Sequence, residues 1–339
     1  MAARAIYVPL ASEAALTDQI ATVAHAQLTA GRRHPHGNLR GPQAARPEYH
    51  MPRLPPLRQL SSKLASPRPK GQTLSSEAET SGTIDDMAPL SSWTTSTHEP
   101  LNRHTMVHMV APPATIGSGV DWAASQIPNQ YTDPDRVATI LAKLGKPKAA
   151  EYLKGKLPTS KRTRSGDLGE IIGAQYATLE LGFRVVERLR WKDHREMSMR
   201  GDDLVGVRAS TNGTLELLKG EAKSRARLGT ATVTDADDAL KRDRGRPSPH
   251  ALSFVADRLH ELGEHTLAEL IDDAQLISGI SQRQVVQLLF TFTGNDPRAL
   301  LRANTTAYRG RVKRLAVGLQ VSKHQVFIAK VYSKAIADA

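Results

Sequence analysis

Two acidic residues and a lysine carry the clearest chemistry in this chain. Asp203 opens the apolar segment GDDLVGV, and Glu221 and Lys223 close the apolar segment LELLKGEAK. Side chains on a strand alternate faces with a period of two, so Glu221 and Lys223 point the same way. A carboxylate pair of this kind can hold a divalent metal beside a phosphodiester, while the ammonium orients the attacking water or steadies charge on the phosphate. The triplet Glu221-Ala222-Lys223 is the chain's one acidic-x-lysine sequence. Asp202 and Asp203 are adjacent and so face opposite sides of a strand. Asp203 is preferred as the ligand because it shares its face with Val205 and Val207, and Asp202 is then a solvated or turn-capping residue. Glu170 is the third acid. Asp167-Leu168-Gly169-Glu170 has capping-box spacing, which gives Glu170 a structural reading beside its reading as an accessory acid.

The elements around these residues read as a compact mixed domain over 165–339. DLGEIIGAQYATLELG predicts a helix closed by Gly182, and FRVVERLRW a strand; DDLVGVRA and LELLKGEAKS form a hairpin across an STNG turn. Helices follow over about 233–243, 250–262 and 265–276. QVVQLLFTFTG is an apolar strand, DPRALLRAN a short helix, and RLAVGLQVS with QVFIAKVYS a final strand pair.

Residues 114–164 read as a basic helical segment. Asp133 is placed as an N-cap with Pro134 at the first helical position, and a second short helix spans Ala149 to Leu157. Upstream the composition changes. Twelve of the 20 prolines fall in 31–113, among Ser, Thr, His and Arg, which predicts a disordered linker; residues 12–30 have the apolar spacing of a short helix.

The balance of 46 Lys plus Arg against 34 Asp plus Glu gives a net charge of +12, which favours a polyanionic partner. Lys161, Arg162 and Arg164, and Arg225 and Arg227 directly after the acidic site, are candidate contacts to a nucleic-acid backbone. Arg242, Arg244 and Arg246 are either a further phosphate-binding set or helix-end cations that stabilise the macrodipole. The absence of cysteine excludes disulfides, thiolate zinc sites and cysteine nucleophiles, and fits a reducing cytoplasm. No apolar run approaches the roughly 20 residues of a membrane span, and the N-terminal residues lack a signal-peptide core. No GxxxxGK(S/T) run exists, so no nucleotide bound through a P-loop is expected.

A helix carrying Gly169-Glu170, a strand with a leading aspartate and a strand ending in E-x-K together resemble the restriction-endonuclease-like, or PD-(D/E)xK, nuclease superfamily. The wider run KLPTSKRTRSGDLGEIIGAQY, RGDDLVGV, GEAKSR and RPSPHALSFVADRL resembles the HamA-like nuclease subunit of Hachiman-type antiphage systems, over about 155–335. The resemblance implies an α/β fold with an αβββαβ core and a mixed sheet flanked by helices. It also implies an Mg2+- or Mn2+-dependent deoxyribonuclease, an endonuclease rather than an exonuclease, that works on DNA with a superfamily-2 helicase. Under it Asp203 and Glu221 are metal ligands, with Asp202 the alternative, Lys223 positions the water and Glu170 is an accessory acid. The competing reading is a non-catalytic nucleic-acid-binding or helicase-regulating subunit that keeps the fold without the activity.

Overall fold

The computed structural model describes residues 89–197 and 201–339. The expected helix over 12–30 and linker up to residue 88 lie outside the described residues.

From residue 89 onward the expected linker is regular structure. Strands β1 (Thr95–Leu101) and β2 (His104–Val110) pair antiparallel around Asn102, which has φ 59. β1 is an edge strand with a largely exposed face, so Thr, Ser, Glu and even Pro100 are tolerated there. β2 buries Met106, Val107 and Met109. The boundary at 113 is therefore corrected to a point before residue 95: polar composition described an edge strand here, not a linker.

Helix α1 (Ile116–Tyr131) buries Trp122 and Ile127. Helix α2 (Pro134–Leu144) starts as its sequence predicts, with the Asp133 carboxylate accepting the Arg136 N–H at 3.1 Å, and α3 (Lys146–Lys156) follows. Helix α4 (Lys161–Leu179) begins earlier than expected. Its N-cap is Ser160, whose hydroxyl accepts the Thr163 N–H at 3.0 Å. Asp167 and Glu170 thus lie inside the helix, and the capping-box reading of this pair is overturned because Ser160 had already supplied the cap. At the other end Gly182, with φ 68, closes the helix through N–H bonds from Gly182 to Thr178 O and from Phe183 to Ala177 O.

The first core strand is shorter than its sequence suggests: β3 covers only Arg184–Val185 before a 3-10 turn at Leu189–Trp191. Strands β4 (Leu204–Ala209) and β5 (Leu215–Arg225) form the expected hairpin, turning at Gly213 with φ 77. Then come α5 (Thr230–Lys241), α6 (Pro249–Glu261), α7 (His265–Asp273), β6 (Val285–Thr293), α8 (Arg298–Ala307) and β7 (Lys313–Gln320). QVFIAKVYS, expected as a last strand, lies instead in α9 (His324–Asp338). Its buried residues Phe327, Ile328, Val331, Tyr332 and Ala335 recur at helical spacing, which a short apolar window hides.

The strands form one seven-stranded mixed sheet in the order β1-β2-β7-β6-β5-β4-β3. β5, β6, β7 and β2 run parallel, and the meander β3-β4-β5 is antiparallel. The succession α4, β3-β4-β5, α5, α6, α7, β6 follows the expected αβββαβ order with two further helices before β6. Helices α1, α4 and α9 bury Trp122, Ile171 and Phe327 in one core cluster with Leu218 and Phe290; α6 and α7 bury Leu259 and Ile271 with Val205 and Leu217 of the sheet.

Candidate active site

The site forms where one strand outruns another. The β4–β5 ladder ends at Leu204↔Gly220, yet β5 continues to Arg225, held on its far side by β6 as far as Arg225↔Thr293. Beyond Gly220 the near edge of β5 has no strand partner, and backbone groups there need others. Asp203, one residue ahead of β4, supplies one: its Oδ2 accepts the Ala222 N–H at 3.1 Å. The entry to β4 is pinned in turn by Arg188, whose Nη1 donates to the carbonyl oxygens of Asp202 and, at 2.7 Å, Asp203.

Asp203 is thereby placed between the other two acids. Its carboxyl lies near enough to those of Glu221 and Glu170 for its charge to oppose the ionisation of both. Burial first, and the Asp203 charge second, raise the Glu221 carboxyl from the usual 4.5 to about 7, against the opposing pull of Lys223. Lys223 Nζ is ion-paired with Glu221 Oε1. Glu170 keeps some solvent contact, but protein surrounds its carboxyl closely. Desolvation, then Asp203 and Asp167, push it well above the ordinary carboxylate range, with Arg188 and Lys192 offsetting part of the shift.

The two aspartates separate. Asp202 is buried away from the acids: Oδ2 accepts the Ser248 N–H at 2.7 Å at the start of α6, and Oδ1 lies 3.2 Å from the ammonium of Lys219. It is neither solvated nor next to Glu221, so the geometry removes it from the metal-ligand set and gives it a structural role.

A supporting network lies beneath Glu170, and nothing in the sequence pattern marked it. Asp167 is buried, receives Lys192 Nζ at 2.7 and 2.8 Å and the Tyr131 hydroxyl at 2.6 Å, and Tyr131 meets the Tyr332 hydroxyl at 3.1 Å. These partners come from positions 25, 36 and 165 residues away, too distant for a local pattern to reveal. Ser224 on the α4 side of β5 bonds Ser165 at 2.8 Å and the buried His324 ring at 3.0 Å. Burial lowers the His324 pKa to about 4.

Among the candidate backbone contacts, Lys161 and Arg162 are exposed in the first turn of α4, and Arg225 and Arg227 are exposed just past Lys223. Arg164 is more constrained: Nε donates to Pro158 O at 2.7 Å and its guanidinium lies 5.0 Å from the Tyr332 ring centre.

Carboxylate oxygens crowded against their own charge fit a hard divalent cation, which would relieve the repulsion that now retains protons. Among the described residues no group of three or more histidine or acidic side chains is arranged to hold a metal ion. The fit therefore rests on the Asp203–Glu221 pair, and this suits Mg2+, which uses one or two carboxylates and fills its remaining positions with water and phosphate oxygens.

Comparison with known proteins agrees in extent with this domain. The family model described as HamA matches residues 91–335. The Hachiman protein HamA of Bacillus cereus is 29% identical over 161 residues, which cover 47% of this chain and 57% of that protein. The chain thus matches a little over half the length of this curated relative.

Proposed function

The chain belongs to the HamA family, and from that premise we propose that it is an Mg2+-dependent deoxyribonuclease of Hachiman antiphage defence that acts in the cytoplasm with a helicase partner. The observation that carries the reading is the contact of the Asp203 and Glu221 carboxyls beside the Lys223 ammonium at a free strand edge. A bound Mg2+ supplies charge neutralisation at the scissile phosphate and a more acidic water. Asp203 and Glu221 would hold it, Asp203 positioned by the Ala222 N–H and by Arg188, and Glu221 by its place on β5. With the Glu221 charge turned to a cation, its pairing with Lys223 would weaken, and the ammonium would be free to orient a water for in-line attack or to stabilise phosphate charge. Exposed Arg225 and Arg227 lie where a DNA backbone would enter, and the lack of any P-loop sequence leaves strand-opening to the partner. Among the described residues no helix is long and apolar enough to cross a membrane.

The test is plasmid nicking by the purified chain in Mg2+, Mn2+ or EDTA. Metal-dependent nicking that falls by about a hundredfold or more in Lys223→Ala and Asp203→Asn is expected. Nicking that persists unchanged in both variants overturns the reading. One observation favours the non-catalytic alternative: Glu221 and Lys223 are closed on each other, and Glu221 is half protonated near pH 7. A salt-sensitive gel shift without cleavage, both alone and with the helicase added, would support it.

A further inference from the structure

A second site emerges at the opposite end of the sheet, at the N-terminal end of β6. A cavity of about 540 Å3 opens between the C-terminal end of α5, the turn after it and the loop leading into β7. Four cations line it: Lys241, Arg244, Arg309 and Arg311. Asp237 is its one acidic residue. That aspartate is already engaged. Its Oδ1 pairs with the fully buried Arg314, and its Oδ2 lies 2.5 Å from Lys241 Nζ. Arg314 is locked by Gln287 Oε1, which accepts its Nη2 at 2.8 Å, and by the Tyr308 ring, whose centre is 3.5 Å from the guanidinium carbon. Four lining cations against one acid leave a formal +3; Asp237 is shared between Lys241 and Arg314, and Lys241 also meets Asp238 at 3.4 Å, so the free positive charge is that of the arginines.

The backbone here is held in an uncommon form. Asp243 and Arg244 have φ of 53 and 58, followed by Gly245 at 81, so three successive residues are left-handed and two of them are not glycine. The surroundings impose this. Buried Lys219 donates to Arg242 O and Arg246 O at 2.9 Å each, Gln282 Nε2 donates to Arg244 O at 2.8 Å, and a Cβ at Gly245 would lie 2.8 Å from Gln287 Nε2. A rigid, strained turn thus presents Arg244 at the cavity with its side chain exposed. Neither Arg244 nor Arg311 makes an ion pair among the described residues.

We propose that this cavity binds a compact phosphate-bearing anion. Its volume suits a small ligand. Its cations come from two stretches of chain far apart in sequence, 241–244 and 309–311, so they meet across one cavity instead of forming a stripe along one helix. The anion can come from a free oligophosphate or from the phosphates of a nucleic-acid strand end, and both present the same chemistry to guanidinium groups. No cavity residue belongs to the Asp203–Glu221 pair, so this inference and the nuclease reading stand or fall separately.

The test is titration calorimetry on the full-length chain in EDTA, with inorganic tripolyphosphate in one arm and a 5′-phosphorylated 12-nucleotide strand in the other. Arg244→Gln with Arg311→Gln is compared with Arg103→Gln with Lys330→Gln, which removes the same charge from exposed positions elsewhere. Arg103 bonds His104, which packs on the lining Tyr308, so a second control, Lys143→Gln with Lys330→Gln, removes the same charge from exposed positions away from the cavity, and it decides where the two controls differ; melting curves check that all variants fold. Binding weakened about tenfold or more in the cavity variant, but not in the charge control, is expected. Loss of tripolyphosphate binding identifies the free anion as the source, and loss of strand binding alone identifies strand phosphates. Equal binding by the cavity variant and the charge control in both arms, or no binding of either probe to the wild type, overturns the proposal.

Discussion

Replacing Glu221 with Gln should make the metal-free protein more stable at pH 8 and leave it unchanged at pH 5. The carboxyl of Glu221 titrates near 4.5 when unfolded and at about 7 when folded, because burial and the Asp203 charge oppose its ionisation. A raised acid pKa means that the folded state binds the extra proton between pH 4.5 and 7, so stability falls as pH rises through that window and stays lower above it. At 1.36 kcal/mol for each tenfold change in the proton equilibrium, the rise from 4.5 to about 7 amounts to about 3 kcal/mol. A neutral amide escapes this penalty but matches the hydrogen bonds of Lys223 and Asp203 less well, at a cost of about 1 kcal/mol. The net gain is then about 2 kcal/mol, or roughly 4–8 °C in Tm for a domain of this size. Melting followed by circular dichroism at pH 5, 6, 7 and 8 in EDTA reads the difference directly. Mg2+ added at pH 8 should narrow the gap, since it stabilises the wild type and has little to bind in the variant. A difference between the two proteins that is constant from pH 5 to pH 8 would refute the placement of Glu221 in an acidic cluster.

Three further outcomes are expected. Asp202→Asn strips a partner from Lys219, which is 1% exposed, and should cost about 3–5 kcal/mol by urea denaturation; a cost below about 1 kcal/mol would show the pair to be incidental. His324 must stay neutral to fold, so acidification from its ordinary 6.5 towards 4 should destabilise the wild type, and His324→Gln should flatten that loss in urea midpoints taken between pH 4 and 7. This titration opposes that of Glu221 over nearly the same range, so the single variants reveal pH dependences that partly cancel in the parent. Gly206→Ala places a Cβ 2.9 Å from Phe183 Cβ and should lower stability by about 1–3 kcal/mol, measured by Tm.

The hairpin that carries Asp203, Glu221 and Lys223 was legible because period-two alternation and an STNG turn are local signals. Asp202 and Asp203 do part, but not through the alternation given: both residues precede β4, where no ladder dictates their faces, and tertiary partners separate them. Of the two readings of Glu170, the cap reading fails because Asp167 and Glu170 satisfy a spacing rule that Ser160 had made redundant. The last helix was misread as a strand because Val326, Phe327 and Ile328 look β-prone, although the spacing of Phe327 and Ile328 to Val331 and Tyr332, continued by Ala335, is helical. Lys192, Lys219 and Arg188 were invisible as structural residues. Each is an ordinary basic residue until the fold brings it an aspartate or a carbonyl from another segment.

The parallel clamp of β6 along all but the first two residues of β5 determines which length changes this family member can absorb. The STNG loop lies outside both ladders, so residues gained or lost there leave the register of Glu221 and Lys223 intact. A single deletion inside β5 between Leu217 and Gly220 is different. It would rotate Glu221 and Lys223 towards α4 and carry Ser224, which α4 accepts only because Gly169 leaves room, to the opposite face. Natural variation in loop length should therefore collect at the hairpin tip, while the spacing from Leu217 to Lys223 stays constant.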